Sequence, residues 1–308
     1  MKSRMNMPIA CKTHIRRHIK LAPYCTMQVG GEAAYFAEPA NEEELRELVL
    51  FARQENMPSM ILGKGSNVIF EDRGYPGLII LMTHFDERNT VIDAAQCQIT
   101  ATSGIHLYKL ALICRNAGLG GVEFLASIPG TLGGALVMNA GYSRHPGQKN
   151  EIGDLVQSVH CISPQGKSET WGRDRLQFSY RHSNLQEQIV VAATLQLWKR
   201  QPEDIEKEIR SNFDYRNQKQ DLKHPSSGSI FKNPAGGNFT AGQLIDKLGL
   251  RGLRVGGAMV SEKHGNYIIN AGDATCEDIK TLINRIQTTV WDAKAILLEP
   301  EVRIIESH

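Results

Sequence analysis

A glycine-rich stretch, IPGTLGGALVMNAGY at residues 128–142, limits most strongly what this chain can fold into. Glycine and alanine recur along it, and no charged residue interrupts it. Glycine lets backbone N–H groups turn toward a ligand because it has no Cβ, and concave clusters of N–H groups bind phosphate oxygens. The stretch therefore predicts a loop that holds a phosphate or pyrophosphate. A tight, buried turn between packed strands is the alternative.

The length and composition of the chain narrow the class of protein. A chain of 308 residues is expected to form two or three domains. Its apolar fraction of 41% and charged fraction of 22% are typical of soluble globular proteins. The formal charge of +2 argues against a nucleic-acid-binding protein, which usually carries a strong basic excess. A local basic pocket for an anionic substrate is still compatible with this balance.

The cysteines and the N-terminal residues indicate a cytoplasmic protein without a metal site. No two cysteines form a CxxC pair, so we expect free thiols and neither a zinc site nor a dithiol redox motif; the cysteines are Cys11, Cys25, Cys97, Cys114, Cys161 and Cys276. The first twenty residues are basic but lack the apolar run of a signal peptide. We predict that they form a solvated tail. No stretch approaches the ~20 apolar residues of a membrane span.

Hydrophobic periodicity and turn residues predict alternating strands and helices. A helix is expected to begin at Asn41, with Glu44 completing a capping box, and the 202–217 helix to follow a domain joint at Gln201-Pro202. The other predicted helices are 105–117, 241–248 and 275–293. The predicted strands are 26–36 (interrupted by a glycine pair), 60–62, 68–70, 77–82, 89–95, 98–103, 155–162, 168–171, 188–198, 258–260, 266–270 and 296–306, with residues 220–229 as a loop.

The turn GKGSN at residues 63–67 is a second glycine cluster. It is not a P-loop, because Pro58 stands where the first glycine is required and Gly65 follows Lys64 where serine or threonine is required. The stretch at 128–142 likewise lacks G-x-G-x-x-G. The two clusters together could hold one large diphosphate ligand, and a plain hairpin turn is the alternative for residues 63–67.

Polar residues in the second half of the chain are candidates for the chemistry. Ser229 lies in PSSGSIFKNP (225–234), which is not a G-x-S-x-G nucleophile elbow. Its hydroxyl could instead donate a proton, if a cation or carboxylate beside it tunes the transfer. A turn role is the simpler alternative. Arg181 in FSYRHS could bind a carboxylate in bidentate fashion, or form a surface salt bridge.

Two further pairs of polar residues have both a chemical and a structural interpretation. Glu299 and Glu301 would share one face of an extended strand, where an apolar surrounding would raise a carboxyl pKa. An exposed strand edge is the alternative. Lys263 and His264 precede a predicted strand and could contact a ligand or only shape a loop.

Eight motifs in order resemble the UDP-N-acetylenolpyruvoylglucosamine reductase (MurB) family of flavoenzymes over residues 21–305. They are TMQVGG, GKGSN, GVEFLASIPGTLGGALVMNAG, FSYRHS, PSSGSIFKNP, AGQLIDKLGLRG, GGAMVSEKHGNYIIN and EPEV. The resemblance implies an α+β fold with a two-subdomain FAD-binding unit of the vanillyl-alcohol-oxidase (PCMH) type and an α+β substrate-binding domain. The expected divisions are a tail at 1–20, FAD subdomains at 21–82 and 83–200, a substrate domain at 201–300 and a C-terminal strand end at 301–308.

The resemblance also implies a reaction and a set of site residues. NADPH would reduce FAD, which would then reduce UDP-N-acetylglucosamine enolpyruvate to UDP-N-acetylmuramate for peptidoglycan synthesis, in a cytoplasmic monomer that binds no nucleic acid, metal or membrane. Ser229 matches the proton donor of the family, and Arg181 and Glu301 match its other catalytic positions. The expected flavin-binding residues are Gly63, Lys64, Gly65, Ser66, Asn67, Pro129, Gly130, Thr131, Gly133, Gly134, Asn139 and Gly141. The expected substrate-binding residues are Tyr180, Lys219, Lys232, Asn233, Lys263 and His264.

The chain departs from the family pattern at a few positions. Ser127 stands where the family usually has glycine, residues 142–144 (Tyr-Ser-Arg) are unusual, and Asp221 replaces a common proline. No insertion separates Arg181 from Lys219, which indicates the subgroup without a tyrosine-bearing loop. The alternatives are a flavin oxidase of the same cofactor fold acting on another substrate, and a non-catalytic flavin-binding module.

Overall fold

The computed structural model describes residues 14–86, 89–142, 150–236 and 239–307. Its helices are α1 (Glu42–Gln54), α2 (Leu107–Asn116), α3 (Leu132–Val137), α4 (Pro202–Lys219), α5 (Ala241–Lys247) and α6 (Cys276–Lys294). Its strands are β1 (Arg16–Lys20), β2 (Glu32–Ala37), β3 (Ser59–Leu62), β4 (Val68–Phe70), β5 (Tyr75–Leu81), β6 (Val91–Asp93), β7 (Gln98–Thr102), β8 (Leu119–Gly120), β9 (Val156–Ile162), β10 (Ser168–Gly172), β11 (Phe178–Ser179), β12 (His182–Ser183), β13 (Ile189–Gln196), β14 (Trp198–Lys199), β15 (Ser226–Ser229), β16 (Arg254–Val255), β17 (Ala258–Val260), β18 (Tyr267–Asn270) and β19 (Arg303–Ile305).

The chain divides into two compact units, each built from several chain segments. The first unit comprises Met1–Arg17, Tyr35–Gly63 and Gly77–Asn212, and the second comprises His18–Ala34, Lys64–Pro76 and Phe213–His308. These limits differ from the boundaries predicted at residues 82 and 200, and α4 runs through the limit at Asn212. The predicted division into two FAD subdomains and a substrate domain stays a prediction.

A five-stranded antiparallel sheet in the order β10-β9-β13-β7-β6 forms the centre of the first unit. The strands predicted at 89–95, 98–103, 155–162 and 168–171 form two hairpins, because β6 pairs directly with β7 and β9 with β10. The long strand β13 pairs with both β7 and β9, and its register shifts twice along β9. Parallel strands β3 and β5 belong to a separate four-stranded sheet in the order β1-β2-β5-β3.

Helix α1 shows how the sequence builds the core of this unit. The Asn41 side chain accepts a hydrogen bond from the Glu44 N–H at 3.0 Å, which caps the helix as predicted. The Glu44 carboxylate instead reaches the Ala40 N–H, one residue earlier than in a capping box. The apolar stripe of the helix, with Leu45 and Leu48 at its centre, is buried against residues of β5 and β13.

The second unit contains helices α5 and α6 and an antiparallel sheet in the order β15-β18-β17-β16. Helix α6 begins with a capping box formed by Thr275 and Asp278, and Asp72 accepts hydrogen bonds from its first N–H groups. Its apolar stripe lies in the buried core of this unit, which includes Ile279, Leu282, Ile283, Ile286 and Val290. Strand β19 pairs in parallel with β4.

Several predicted elements differ from the structure. Strand β2 begins after the glycine pair, so residues 26–31 are not extended, and residues 16–20 form β1 rather than a tail. Residues 226–229, predicted as loop, form β15 because β18 offers them a hydrogen-bonding partner. The predicted strand at 296–306 is reduced to β19, since Pro300 has no N–H to donate and forms only an isolated bridge with Phe231. Residues 1–13 of the predicted tail lie outside the described residues.

Candidate active site

Gly65 fixes the shape of the turn at 63–67 through contacts with other residues of the second unit. This glycine has φ of +62°, and a Cβ on it would lie 2.2 Å from the carbonyl oxygen of Tyr24, so only glycine fits. The N–H of Thr26 donates to the Gly65 carbonyl at 3.1 Å, which fixes the turn on residues 24–26. The neighbouring predicted flavin residues differ in exposure: Lys64 is exposed and Ser66 is half-buried.

Asn67 ends this turn and links it to the C-terminal strand. Its side-chain amide donates to the carbonyl oxygen of Glu301 at 3.2 Å, and the N–H of Arg303 donates to the Asn67 carbonyl at 3.0 Å. These bonds follow from the parallel pairing of β19 with β4. A predicted flavin residue and a predicted catalytic residue are therefore neighbours, although they are 234 positions apart in the sequence.

The glycine-rich loop at 128–142 contains the short helix α3 and pairs with the segment that follows β7. The N–H of Leu132 donates to the carbonyl of Ile105 at 3.0 Å. The N–H of Gly133 donates to the carbonyl of Ser103 at 2.9 Å. Thr131 is the N-cap residue of α3, and Pro129 and Gly130 are half-buried just before it.

The glycines predicted to bind flavin are required for different reasons. Three of them are needed by the packing of the protein itself, since an added Cβ would lie 2.5 Å from Thr131 Oγ1 at Gly63, 2.9 Å from Ser103 Cβ at Gly133, and 2.0 Å from the Asn150 carbonyl at Gly141. Gly134 is different. A Cβ there would have its nearest neighbour, Thr131 Oγ1, only at 3.8 Å. The described residues leave room for a side chain at Gly134, so the glycine fits a loop that a bound cofactor approaches closely.

Asn139 is fully buried and its side chain is used by the fold. Its amide nitrogen donates to the Glu151 carboxylate at 2.9 Å and to the Ser179 carbonyl at 3.0 Å. Its amide oxygen accepts the N–H of Gly153 at 3.0 Å. The backbone is left-handed, with φ of +45°, which asparagine tolerates better than most residues. Asn139 therefore fixes the end of the glycine-rich loop at 128–142 and links it by a hydrogen bond to β11, the strand before Arg181.

Arg181 lies at the turn of the two-residue hairpin β11–β12 in the first unit. Its φ of +57° is left-handed, and its guanidinium carbon is 5.0 Å from the centre of the Tyr180 ring. Ser183, on β12, donates its hydroxyl proton to the Val137 carbonyl of α3 at 2.9 Å. The two predicted ligand-binding residues at this turn are thus held beside the helix of the flavin loop.

Ser229 and Glu301 lie together in the second unit. Ser229 ends β15 and pairs directly with Tyr267 of β18, after an irregularity at Gly228, whose φ is +75°. The N–H of Glu301 donates to the carbonyl of Ile230, the residue after Ser229, at 2.7 Å. Backbone pairing alone thus brings two of the three predicted catalytic residues to one place.

Tyr267 and Arg216 belong to the same group of residues and were not singled out from the sequence. Tyr267 is 4% exposed and its hydroxyl forms a hydrogen bond with Arg216. Burial raises the pKa of Tyr267 to about 12, with the charge of Arg216 opposing and that of Glu301 adding to the shift. Arginine has no acceptor, so the phenol oxygen must accept from Arg216. The position of Arg216 one helical turn before Lys219 was the available sequence signal.

The predicted substrate-binding residues of the second unit have identifiable partners. Lys232 forms an ion pair with Glu299, Asn233 accepts the first N–H of α5 at 3.0 Å, and the Lys263 ammonium donates to the Asn217 carbonyl. His264 packs edge-on against Tyr267 with ring centres 4.6 Å apart, and burial lowers the pKa of its imidazole. Lys219 is exposed on the last turn of α4.

A metal site, a membrane-spanning helix and a disulfide are all absent from the described residues. In the ranges that the structure describes, no group of three or more His, Cys, Asp or Glu side chains could hold a metal ion. No helix in those ranges is long and apolar enough to cross a membrane. Five of the cysteines are described, and all of them are free thiols.

Comparisons with known proteins identify the two parts of the chain. A model described as an FAD binding domain matches residues 33–172, and one described as the C-terminal domain of UDP-N-acetylenolpyruvoylglucosamine reductase matches residues 220–305. The reductase of Synechococcus sp. (strain WH7803) is 40% identical over 292 residues, which are 94% of this chain and 92% of the relative. The reductase of Latilactobacillus sakei is 38% identical over 95% of this chain and 93% of the relative. The chain belongs to the UDP-N-acetylenolpyruvoylglucosamine reductase family.

A solved structure of this reductase family has the same fold. The crystal structure of MurB from Thermus caldophilus superimposes with a TM-score of 0.78 and 32% identity, covering 96% of this chain and 99% of that one. The predicted α+β fold with an FAD-binding unit is confirmed, and so is FAD as the cofactor. The open backbone at Gly134 fits this cofactor. The individual flavin, substrate and catalytic residues stay predictions.

Proposed function

We propose that this chain uses Ser229, Arg181 and Glu301 to reduce UDP-N-acetylglucosamine enolpyruvate to UDP-N-acetylmuramate, with NADPH as the reductant. The reaction is the one for which the family is named, and it supplies a precursor of peptidoglycan. When bound, FAD accepts a hydride from NADPH and delivers it to the enolpyruvyl double bond. The observation that carries the proposal is the identity of about 40% over nearly the whole chain, with both parts of the reductase present in order.

Ser229 supplies the proton that completes the reduction. Hydride addition to the enolpyruvyl group builds negative charge on the carbon beside the carboxylate, and a hydroxyl held there can protonate it. Ser229 is fixed for this task by its pairing with Tyr267 and by the adjacent bond between Glu301 and Ile230. Losing a general acid typically slows an enzyme by ~10²–10⁴-fold.

Arg181 and Glu301 act on the charged end of the substrate. The Arg181 guanidinium can bind a carboxylate in bidentate fashion and stabilise the negative charge that develops beside it. Glu301 is held by backbone bonds on both sides, from Asn67 to its carbonyl and from its N–H to Ile230, so its carboxyl group is presented from a fixed backbone. The side chains that would recognise the rest of the substrate are Tyr180, Lys219, Lys232, Asn233, Lys263 and His264.

The flavin would be held by the two glycine clusters. Gly134 and its neighbours in α3 would meet the cofactor with backbone rather than side chains, as would the turn at 63–67. We include Asn139 among these residues, because its buried amide shapes the backbone that the flavin would contact. The predicted division at residues 82, 200 and 300 into two FAD subdomains and a substrate domain is part of the proposal.

We also propose that the protein works as a cytoplasmic monomer and binds no nucleic acid. The near-neutral formal charge of +2 supports the last point, because nucleic-acid-binding domains usually carry a strong basic excess. NADPH as the reductant belongs to the same proposal, and comparing the rates of flavin reduction by NADPH and by NADH would test it.

Absorbance spectroscopy of the purified protein tests the function in two steps under anaerobic conditions. We expect a yellow protein whose flavin bands are bleached by NADPH and restored by UDP-N-acetylglucosamine enolpyruvate. Flavin that reacts rapidly with oxygen but ignores the enolpyruvyl nucleotide would indicate an oxidase. Flavin that NADPH does not reduce would indicate a non-catalytic binding module, and a colourless protein that takes up no FAD would contradict the whole proposal.

A further inference from the structure

A chain of polar side chains joins the last residue of the loop at 128–142 to the segment that precedes this loop. It lies within the first unit and connects Glu123, Asn212 and Tyr142. Glu123 and Asn212 are 3% and 1% exposed. A buried polar group lowers the stability of the fold unless it is hydrogen bonded. Glu123 and Asn212 therefore need hydrogen-bonding partners in the interior, where apolar residues would need none.

Asn212 is the centre of this chain because it uses both ends of its amide. Its oxygen accepts a short hydrogen bond from the Tyr142 hydroxyl, and its nitrogen donates to the Glu123 carbonyl at 3.0 Å. Glu123 comes five residues before the loop at 128–142, and Tyr142 is the last residue of that loop. One side chain of α4 therefore binds both the last residue of the loop and a residue five positions before its start.

Glu123 is itself firmly held, which gives Asn212 a rigid point of attachment. Its carboxylate accepts the N–H of Gly121 at 2.7 Å and forms an ion pair with Arg200 at 2.8 Å. Arg200 also pairs with Glu208 on α4. The entry to the flavin loop is thus fastened to α4 through the carbonyl of Glu123 and through its carboxylate.

The family departures at Ser127 and Tyr142 are one structural feature. The Ser127 hydroxyl lies 3.5 Å from both the Phe124 carbonyl and the Tyr142 hydroxyl. It is 3% exposed, so the added side chain is accommodated beside the buried end of Tyr142. Ser127, immediately before the loop, therefore contacts the same Tyr142 hydroxyl that Asn212 binds.

We propose that Tyr142, Asn212 and Glu123 form a clamp that holds the loop at 128–142 in its FAD-binding conformation before the cofactor enters. Tyr142 and Asn212 are then positioning residues for cofactor binding. The inference rests on the proposed assignment of this loop to the flavin. A loop that is already ordered loses less conformational entropy when FAD binds, so the affinity for FAD is higher.

The test measures the FAD dissociation constant and the thermal stability of the apoprotein in parallel. The variants are Tyr142→Phe, which removes only a hydroxyl, Asn212→Leu, and the pair of them together. The matched control is Thr194→Val, which removes a hydrogen bond of 2.9 Å to Thr100 in the same unit, away from the loop. Gly134→Ala tests the loop assignment itself, because the nearest described protein atom to a methyl group there is Thr131 Oγ1 at 3.8 Å.

We expect Tyr142→Phe and Asn212→Leu each to raise the FAD dissociation constant about tenfold, since one hydrogen bond contributes on the order of 1–1.5 kcal/mol. The double variant should bind FAD no more weakly than the weaker single, because both changes break one clamp. Thr194→Val should lower the melting temperature and leave FAD affinity unchanged.

The possible results separate the clamp from the loop assignment. Weaker FAD binding in the clamp variants and in Gly134→Ala supports both. If Gly134→Ala weakens FAD binding but the clamp variants only melt earlier, the clamp is structural and the inference is overturned. If none of these variants changes the affinity, the loop does not contact FAD, and the cofactor site proposed above is wrong as well.

Discussion

The loop at 128–142 has four glycines and the segment at 225–234 has one glycine among several polar side chains, and the fold holds the two regions in different ways. In the loop, side chains fix the backbone: Asn139 alone makes three hydrogen bonds, and Asn212 binds Tyr142 at the end of the loop and Glu123 before its start. In the segment, backbone pairing with β18 fixes the strand on either side of Ser227, whose buried hydroxyl has no partner among the described residues.

This difference indicates how each region works. The polar side chains of the loop are used by the protein itself, so the loop presents backbone to its ligand. The segment holds Ser229 through backbone pairing with a neighbouring strand, while Lys232 and Asn233 further along bind Glu299 and the first N–H of α5. A cofactor that stays bound suits the first arrangement, and a hydroxyl that must exchange a proton in each turnover suits the second.

The largest effect is expected at Ser229. Ser229→Ala should retain FAD and its reduction by NADPH, while oxidation of the reduced flavin by the enolpyruvyl substrate slows by ~10²–10⁴-fold, because the proton donor is lost. Stopped-flow absorbance measures the two half-reactions separately. Ser226→Ala, on the same strand, is the control and should behave as the unchanged protein. Near-normal turnover in Ser229→Ala would remove the serine from the mechanism.

Asn139 should show the second-largest effect, on stability. Asn139→Ala leaves the N–H of Gly153 and the carbonyl of Ser179 without a partner and places alanine in a left-handed conformation. We expect the free energy of unfolding to fall by on the order of 3 kcal/mol, measured by urea titration. Asn139→Gly should recover about 1 kcal/mol of this loss by relieving the backbone. Equal losses in both variants would show that the left-handed backbone contributes nothing.

Local signals explain which parts of the fold the sequence could predict. Helices α1 and α6 carry a capping residue, an apolar stripe and a polar face within a single stretch of chain, and the start of α1 and both ends of α6 were predicted to within a residue. The hairpins β6–β7 and β9–β10 follow from a short turn between two alternating segments. Each of these elements is decided by contacts between residues close in sequence.

The parts that were missed depend on distant partners. Residues 226–229 lack strand-forming side chains and become β15 only because β18 supplies hydrogen bonds. The bond from Asn67 to the Glu301 carbonyl spans 234 positions. The Asn212 clamp likewise joins three elements, and a lone asparagine on a helix gives no sign of it. The family resemblance named candidate residues, but only the structure separates Gly134 from the glycines that packing requires.

The neighbours Gly133 and Gly134 offer a direct test of that separation. Gly133→Ala should destabilise the apoprotein by about 1–3 kcal/mol, because the new methyl group would meet Ser103 Cβ at 2.9 Å. Gly134→Ala should instead stabilise the apoprotein by up to about 1 kcal/mol through the better helix propensity of alanine, while FAD binds about tenfold more weakly. Thermal unfolding of the apoproteins and FAD titration give the two readings. Equal stability changes in both variants would refute the distinction between packing and ligand glycines.

The smallest effect is expected at Ser227, and its sign is informative. Its hydroxyl is buried without a partner among the described residues, so it carries a desolvation penalty that no hydrogen bond offsets. Ser227→Ala should therefore raise the free energy of unfolding by up to about 1 kcal/mol and leave turnover unchanged, as urea titration and steady-state assays can show. A loss of stability would mean that the hydroxyl is hydrogen bonded after all. A loss of turnover without a loss of stability would mean that the hydroxyl is held for the ligand, and that the segment reserves more than Ser229 for the chemistry.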